Sequence, residues 1–294
     1  MKIDGIMPPI PTPFAGDEVA YDKLQENIAR WNQTGLSGYV IYGSNGESAF
    51  LTREEKLKIA KTAKACIAPD KKMIVGTGCD SLKETIYLTN EVAALGADAA
   101  LIVTPNYYKP LMKHEAFVRF FTALADAADM PILIYDVPKF TGVHIEPAAV
   151  IELSQHPNII GIKCSGGNVA EISEIAHRAA QGFATIVGTA SVIYAGLCVG
   201  GAGGILALAV VAPEVSVEIY NSAKAGDHKK ALKLQMQFLM TDRAVTAKFG
   251  IPGLKAALDK LGYYGGPVRN PLGPLNENQM KILDSILREA GLIE

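Results

Sequence analysis

The apolar positions of the chain fall into two kinds of segment that alternate. Short runs rich in β-branched residues are typical of buried strands, and longer stretches with apolar residues every three or four positions are typical of amphipathic helices. The alternation repeats at intervals of roughly 20 to 35 residues. Eight strands are predicted on this pattern: Gly5–Ile10, Gly38–Tyr42, Met73–Gly76, Ala99–Val103, Ile132–Tyr135, Ile159–Lys163, Thr185–Val187 and Gly204–Leu208.

Helices are predicted between these strands and after the last one. Thr52 precedes two glutamates, and Ser81 stands three residues before Glu84, which are signals for helix starts. Seven helices lie between strands, and four more follow them. They are Tyr21–Gln33, Thr52–Ile67, Ser81–Leu95, Lys113–Ala128, Glu146–Leu153, Val169–Ala179 and Ser191–Val199, then Val215–Lys224, Lys229–Met240, Val245–Leu261 and Asn276–Glu289.

Eight strands alternating with helices indicate an α/β fold with a parallel sheet. A doubly wound sheet usually has a glycine fingerprint after its first strand, whereas the first strand here leads into PPIPTPF. The pattern therefore predicts a (β/α)8 TIM barrel with a C-terminal helical extension. We predict that residues 1–224 form the catalytic barrel and residues 225–294 a helical appendage packed on it.

Composition narrows the classes of partner. The 294 residues are 49% hydrophobic, which suffices for a large core, and the net charge of −2 disfavours nucleic acid or an anionic membrane as a partner. The first residues, MKIDGIMPPIPTPF, show neither a basic leader nor an apolar signal core. The longest apolar run, Cys198 to Ala212, is rich in glycine and too short to cross a bilayer. A cytoplasmic protein is expected.

Cysteine and histidine usage predicts no metal site and no disulfide framework. The four cysteines are far apart and form no Cys-x-x-Cys pair, and the five histidines are equally scattered. This usage is typical of free thiols in a reducing compartment. No metal is therefore expected.

A lysine stands in the predicted sixth strand, in the segment PNIIGIKCSGG. Alternate residues of a strand face opposite ways. Ile160 and Ile162 are therefore predicted on one face, and Gly161, Lys163 and Ser165 on the other. Lysine is almost never fully buried unless it is paired or used. The plainer interpretation is a stem on apolar surface with its ammonium in water.

Polar residues follow other strands at the end of the barrel where such folds carry their chemistry. The turn GSNGES places Ser44 and Asn45 between glycines, where free N–H groups suit a carboxylate. Tyr107 follows the fourth strand and Tyr135 ends the fifth. Desolvation favours the neutral amine of Lys163, which attacks a carbonyl carbon to form an imine. A phenol such as that of Tyr135 can relay the protons.

Each of these features also has other interpretations. Gly43 and Gly46 can serve only as turn formers, and Tyr135 can be a core tyrosine. A phosphate-binding barrel is an alternative function, and its ligand would bind near Gly188 and Thr189. A non-enzymatic sensor on the same scaffold is another, because a fold does not imply a function. The coincidence of lysine, tyrosines and glycine-flanked turn at one barrel end favours the enzyme.

Together, GSNGES, TPNYYKP, YDVP and GIKCSGG resemble the motifs of the pyruvate-utilising class I aldolases, the family of dihydrodipicolinate synthase and N-acetylneuraminate lyase. The resemblance runs over nearly the whole chain. It implies a (β/α)8 barrel with C-terminal helices, no cofactor, and 2-oxo acid and aldehyde substrates. It also implies a homotetramer built as a dimer of dimers.

The resemblance assigns roles to individual residues. It implies that Lys163 forms the Schiff base and that Tyr135 shuttles protons. Ser44 and Asn45 match the positions that bind the carboxylate of the 2-oxo acid. Ser44 also matches the link between Tyr135 and Tyr107, and Tyr107 would reach the site from a neighbouring subunit.

Within the family, the chain most resembles 4-hydroxy-2-oxoglutarate aldolase, through GSNGES, LSQHPNIIGIKCSGG and AVTAKFGIPGLKAALDKLGYYGGPVRNPL. The lysine-biosynthetic synthase typically reads GTTGES and has an arginine where Phe140 stands here, although Lys139 offers a nearby charge. The expected activity is therefore cleavage or formation of 4-hydroxy-2-oxoglutarate from pyruvate and glyoxylate. Alternatives are the condensation of pyruvate with aspartate semialdehyde, or an aldolase for another 2-keto-3-deoxy sugar acid.

Two further binding residues are implied by the resemblance to this subfamily. Its sixth-strand motif reads lysine, any residue, serine, so Ser165 would contact the bound acid, and Gly188 matches another binding position. Asp136 and Cys164 depart from the residues expected beside Tyr135 and Lys163.

Overall fold

Eight parallel strands form the central sheet of the computed structural model, which describes residues 1–294. From β2 to β8, each strand pairs with the next along the chain, and β8 also pairs with β1. The strands are β1 (Gly5–Met7), β2 (Gly38–Ile41), β3 (Lys72–Gly76), β4 (Ala99–Val103), β5 (Ile132–Asp136), β6 (Ile159–Cys164), β7 (Ala184–Val187) and β8 (Gly203–Ile205).

The barrel is closed by the residues that follow β1. The N–H of Val40 donates to the carbonyl of Pro8 (2.9 Å), and the N–H of Ile10 donates to the carbonyl of Val40 (3.1 Å). Because Pro8 and Pro9 have no N–H, the ladder is interrupted there and β1 ends at Met7, earlier than predicted. The predicted (β/α)8 barrel is confirmed.

Fourteen helices surround and extend the barrel. The predicted helix starts are confirmed at Thr52, whose side chain and Glu55 form a capping box, and at Ser81, whose hydroxyl accepts the Glu84 N–H. The helices are α1 (Tyr21–Trp31), α2 (Arg53–Cys66), α3 (Leu82–Ala94), α4 (His114–Ala127), α5 (Pro138–Thr141), α6 (Pro147–Leu153), α7 (Val169–Arg178), α8 (Ile193–Cys198), α9 (Leu208–Val211), α10 (Pro213–Lys224), α11 (His228–Gln237), α12 (Leu239–Arg243), α13 (Gly250–Lys260) and α14 (Glu277–Glu289).

The structure differs from the prediction in three notable places. A small antiparallel hairpin pairs Phe14–Ala15 with Glu18–Val19 directly after β1. The predicted helix Val245–Leu261 instead begins as a π-helical segment, Ala244–Lys248, before α13. Apolar periodicity cannot distinguish a single π-helical turn from an α-helix. The predicted eighth strand also ends early, because Leu208 already starts α9.

Two apolar layers stabilise the barrel. The interior is filled by a cluster of 12 buried residues drawn from almost every strand, including Val40, Ile74, Leu101, Leu133 and Ile186. Burying each such side chain fully contributes about 1.5–3 kcal/mol. A larger cluster of 60 residues packs the outer faces of the strands against the helices. Tyr135 belongs to the interior layer, at the end of β5.

The predicted faces of β6 need one correction. Ile162 packs in the outer layer, whereas Ile160 contacts the interior cluster. The pairing of β5 with β6 shifts there, because Ile132 pairs with Ile159 and Leu133 already pairs with Gly161. A bulge of this kind places two consecutive residues on one side of the strand. Ile160 and Ile162 therefore do not share a face.

The last helices pack largely against other helices: α11 against α8 and α10, α13 against α9, and α14 against α12 and α13. The predicted division at residues 224 and 225 falls at the end of α10. That division stays a prediction. None of the helices is both long enough and apolar enough to cross a membrane.

Candidate active site

A cavity of about 190 Å³ opens at the C-terminal ends of the barrel strands. Lys163 on β6 and Tyr135 on β5 are paired neighbours in the sheet, and both side chains reach this cavity. The Nζ atom of Lys163 lies 4.2 Å from the centre of the Tyr135 ring. The strand register alone therefore brings the predicted amine and phenol into contact.

Lys163 differs from the other buried lysines of the chain. Lys71 donates to two backbone carbonyls, and Lys255 is paired with Glu47. Lys163 is only 5% exposed, yet it forms no hydrogen bond and no ion pair with the protein. Burying an amine without a partner is costly. This position is explained if the amine of Lys163 interacts with a ligand in the cavity.

Tyr135 connects the lysine to the turn after β2. Its hydroxyl lies 3.4 Å from Oγ of Ser44, at the limit of a hydrogen bond. Tyr135 is 5% exposed, and its ring packs with the apolar interior of the barrel. The hydroxyl therefore faces the cavity while the ring is fixed by packing, a geometry that suits proton transfer.

The turn Ser44–Gly46 is a single 3-10 turn that lines the same cavity. The N–H groups of Gly46 and Glu47 are used within the turn, by the carbonyls of Gly43 and Ser44. The N–H groups of Ser44 and Asn45 have no acceptor in the protein. Two free N–H groups beside a hydroxyl and an amide form a suitable site for a carboxylate.

Ser165 and Gly188 lie on the opposite wall of the cavity, after β6 and β7. The Oγ atom of Ser165 is buried and has no partner in the protein. A side chain at residue 188 would come within 2.1 Å of this atom and within 2.7 Å of the Cys164 carbonyl. Glycine is therefore required at 188 for the Ser165 hydroxyl to keep its place.

Tyr107 is the one predicted site residue that does not reach the cavity within a single chain. It is 75% exposed, and its ring packs edge-on against Tyr108 at 5.1 Å. Its N–H donates to Asp80 Oδ1 at 2.9 Å, which fixes the loop after β4. The prediction that Tyr107 acts in a neighbouring subunit stays a prediction.

The mouth of the cavity is lined by residues that sequence reasoning mostly missed. The π-helical segment Ala244–Lys248 contributes Val245 and Thr246. They lie in the motif AVTAKFGIPG, which supported the subfamily resemblance but predicted no role for them in the site. Nζ of Lys139 donates to the carbonyl of Thr246 at 3.1 Å, and Phe140 stands beside it, 57% exposed. Besides Lys163, Lys139 is the only basic side chain of the lining.

Asp136 and Cys164, which depart from the family pattern, face away from the cavity. Asp136 is 4% exposed and accepts a hydrogen bond from Nδ1 of His144 at 2.9 Å. Nε2 of His144 lies 3.4 Å from Glu171 on α7. The bond to Asp136 raises the pKa of His144 to about 9. Burial raises the pKa of the Cys164 thiol, which suits a packing role rather than a reactive one.

No cluster of three or more histidine, cysteine, aspartate or glutamate side chains with the spacing of a metal site occurs in the structure. The residues of the cavity are instead an amine, hydroxyls, an amide and free N–H groups. This donor set suits a small carboxylic acid that carries a carbonyl group.

Comparison with known proteins places this geometry in a family. The model of the dihydrodipicolinate synthetase family matches residues 2–290. The 4-hydroxy-tetrahydrodipicolinate synthase of Methanoculleus marisnigri is 37% identical over 292 residues, 98% of this chain and 99% of that protein. The synthase of Methanocaldococcus jannaschii is 33% identical over 290 residues, 98% of this chain and 99% of that protein.

Solved structures of related proteins are similar to this chain over nearly its full length. The chloride-inhibited dihydrodipicolinate synthase of Acinetobacter baumannii, solved in complex with pyruvate, superposes with a TM-score of 0.95 at 30% identity, covering 99% of this chain and 100% of that chain. The enzyme of Aquifex aeolicus superposes with a TM-score of 0.94 at 29% identity, covering 99% of both chains.

The His144–Asp136 pair predicts a pH-dependent stability. Because the pKa of His144 is raised in the folded state from 6.5 to about 9, its stabilising effect is complete below its ordinary pKa and is lost as the pH rises through 9. The difference in the free energy of unfolding between the wild type and His144→Gln should therefore be larger at about pH 6 than at about pH 10. Urea unfolding at several pH values measures it. His177→Gln, an exposed histidine on α7, is the control; an equal pH trend in both variants would contradict the prediction.

Gly188→Ala should disturb Ser165 and destabilise the protein. The added methyl group meets the Ser165 side chain and the Cys164 carbonyl at distances that force both to move. Overpacking of this kind costs about 1–3 kcal/mol in the free energy of unfolding. Chemical denaturation measures the loss. Gly166→Ala is the matched control, because nothing lies within 4 Å of a methyl group there. A Gly188 variant as stable as the Gly166 variant would be contrary to expectation.

Proposed function

Because the chain belongs to the dihydrodipicolinate synthetase family, whose members are class I lyases and synthases with a lysine Schiff base, we propose that it joins pyruvate to an aldehyde through an imine on Lys163. One observation carries the assignment to this residue. Lys163 is the buried lysine that has no partner, and its amine faces the phenol of Tyr135.

The proposed reaction begins with the pyruvate carboxylate on the free N–H groups of Ser44 and Asn45, with the Ser165 hydroxyl on the other wall. The amine of Lys163 attacks the C2 carbonyl, and the phenol of Tyr135 donates the proton with which the carbinolamine hydroxyl leaves as water, giving a protonated imine. The phenolate then takes a proton from C3 to give the enamine. The enamine forms a carbon–carbon bond with the aldehyde, whose oxygen takes up the proton from Tyr135. Hydrolysis or displacement of the imine frees the lysine.

Ser44 is proposed to continue the proton relay from Tyr135 towards Tyr107 of a second subunit. The 3.4 Å separation of the Ser44 and Tyr135 hydroxyls supports the first step. Tyr107, Tyr108 and Leu111 form an exposed apolar group that a second copy of the chain would cover. A homotetramer built as a dimer of dimers, as the family resemblance implies, would complete the site in this way.

The acceptor aldehyde is proposed to be aspartate semialdehyde. The relatives at 32–37% identity are named 4-hydroxy-tetrahydrodipicolinate synthase, which supports a synthase. The expectation that the chain is closest to 4-hydroxy-2-oxoglutarate aldolase has no support among them. One observation keeps that aldolase activity as a second candidate: Phe140 stands where the synthase motif has an arginine. Both acceptors, aspartate semialdehyde and glyoxylate, carry a carboxylate, and we propose that Lys139, the basic side chain at that end of the cavity, binds it.

Borohydride reduction in the presence of pyruvate should modify Lys163 and no other lysine. The reductant converts the imine to a stable secondary amine, so the peptide that contains residue 163 gains the mass of a reduced pyruvyl group. Peptide mass spectrometry measures it. Lys163→Ala should lose both the adduct and all turnover, whereas Lys255 and Lys71, which are buried but paired, should stay unmodified. Unmodified Lys163 in folded protein would refute the proposed function.

Lys139→Met should weaken the binding of an anionic aldehyde. Removing one charge–carboxylate contact in a partly open cavity should raise the KM of the aldehyde about tenfold, equivalent to about 1.4 kcal/mol. The KM of pyruvate should stay the same, because the pyruvate carboxylate is held at the other end. Steady-state kinetics with aspartate semialdehyde and with glyoxylate also decides between the two acceptors. Lys248→Met, an exposed lysine of the π-helical segment to which Lys139 is hydrogen-bonded, is the control; equal effects in both variants would argue against Lys139.

A further inference from the structure

A fully buried ion pair joins the C-terminal appendage to the turn that is proposed to bind carboxylate. Nζ of Lys255 on α13 donates to Oε1 of Glu47 at 2.6 Å, and the two side chains are 1% and 0% exposed. No other ion pair of the chain has both partners this deeply buried. Glu47 follows directly on the turn Ser44–Gly46, so the contact reaches the edge of the active site.

The remaining hydrogen-bonding capacity of the pair is used almost completely. Oε2 of Glu47 accepts the backbone N–H of Arg269 at 2.9 Å, and Lys255 also donates to the carbonyl of Pro267 at 2.6 Å. The ring of Phe14 lies 4.4 Å from Nζ of Lys255. Such a set of partners offsets the cost of burying the two charges. Burial itself still lowers the pKa of the Lys255 ammonium.

The backbone of Glu47 has an unusual conformation that needs support. Its φ of 57° and ψ of 35° lie in the left-handed region, which costs a residue with a side chain about 1–2 kcal/mol. Its N–H closes the turn on the carbonyl of Ser44, and its carbonyl accepts the N–H of Phe50. Strained residues of this kind persist where the surroundings hold them. Here the surroundings are the side-chain contacts of Glu47 with the appendage.

The ion pair is not needed merely to attach the appendage. Arg269 already forms a two-pronged ion pair with Glu55 on α2, and the Tyr264 hydroxyl donates to the carbonyl of Phe14. Asn27 on α1 exchanges two hydrogen bonds with the backbone of Tyr264. A buried ion pair adds little stability compared with well-packed apolar residues. Its distinctive effect is to set one conformation of the residue it holds.

We propose that Lys255 is a positioning residue for the carboxylate site and that it acts through Glu47. In this proposal, which rests on the proposed function of the turn, the appendage holds Glu47 in its left-handed conformation. The N–H groups of Ser44 and Asn45 then remain directed into the cavity before pyruvate arrives. Lys255 does not line the cavity and does not contact Lys163, so its loss should affect binding of pyruvate more than the chemistry that follows.

The test compares Lys255→Met, Glu47→Gln and the double variant with the wild type. Lys255→Met leaves a buried carboxylate unpaired, so it should lower the free energy of unfolding and raise the KM of pyruvate about tenfold or more, with kcat changed less than about threefold. The double variant has no unpaired charge, so it should regain much of the stability. Its KM for pyruvate should nevertheless stay high, because the turn is still not held.

The double variant separates a positioning role from a merely structural one. If KM returned to the wild-type value together with stability, Lys255 would matter only for folding and the proposal would be overturned. Lys260→Met is the matched control, since Lys260 lies on the same helix and pairs with Asp284 at 3.1 Å, away from the turn. An equal rise in KM in that variant would also overturn the proposal.

Failure of the proposed function would look different. In that case, borohydride and pyruvate would leave Lys163 of the wild type unmodified, and no KM for pyruvate could be measured in any variant. With a wild type that forms the adduct, the adduct yield at low pyruvate concentration gives a second readout. It should fall in Lys255→Met and in the double variant, and a yield equal to that of the wild type would count against the proposal.

Discussion

The arrangement of the active site depends on an amine that is buried without a partner. Lys163 is held at the end of β6 by a strand that is hydrogen-bonded on both sides, and its amine faces the cavity without a partner in the protein. The closed ring of strands, including the proline-interrupted contact between β1 and β2, is therefore part of the chemistry.

Much of the fold and part of the site can be predicted from the chain alone. Strand and helix periodicities locate all eight strands, and the rule that chemistry lies at the carboxyl ends of barrel strands groups Ser44, Tyr135 and Lys163. The π-helical segment Ala244–Lys248 escapes prediction because its apolar spacing resembles that of an α-helix. The bulge at Ile160 escapes because strand register depends on the partner strand.

Contacts between distant parts of the chain escape sequence reasoning for a further reason. In the sequence, Glu47 is an acidic residue in a turn and Lys255 is a lysine in an amphipathic helix, and neither has an unusual neighbourhood. Neither residue shows a local signal that it pairs with a residue 208 positions away. The particular activity within the family is equally hard to predict from the sequence. The motifs resemble those of an aldolase, whereas the relatives that match along nearly the whole chain are named synthases.

The two ends of the cavity are built by different parts of the molecule. The end proposed to hold pyruvate is formed by turns of the barrel, and the end proposed to hold the aldehyde includes Thr246 and Lys139, whose Nζ donates to the Thr246 carbonyl. The C-terminal segment thus contacts the second end directly and the first end through Glu47. Because Lys163 and Tyr135 lie on barrel strands whereas Thr246 lies in the C-terminal segment, the proposed chemistry and the proposed choice of aldehyde rest on different parts of the chain.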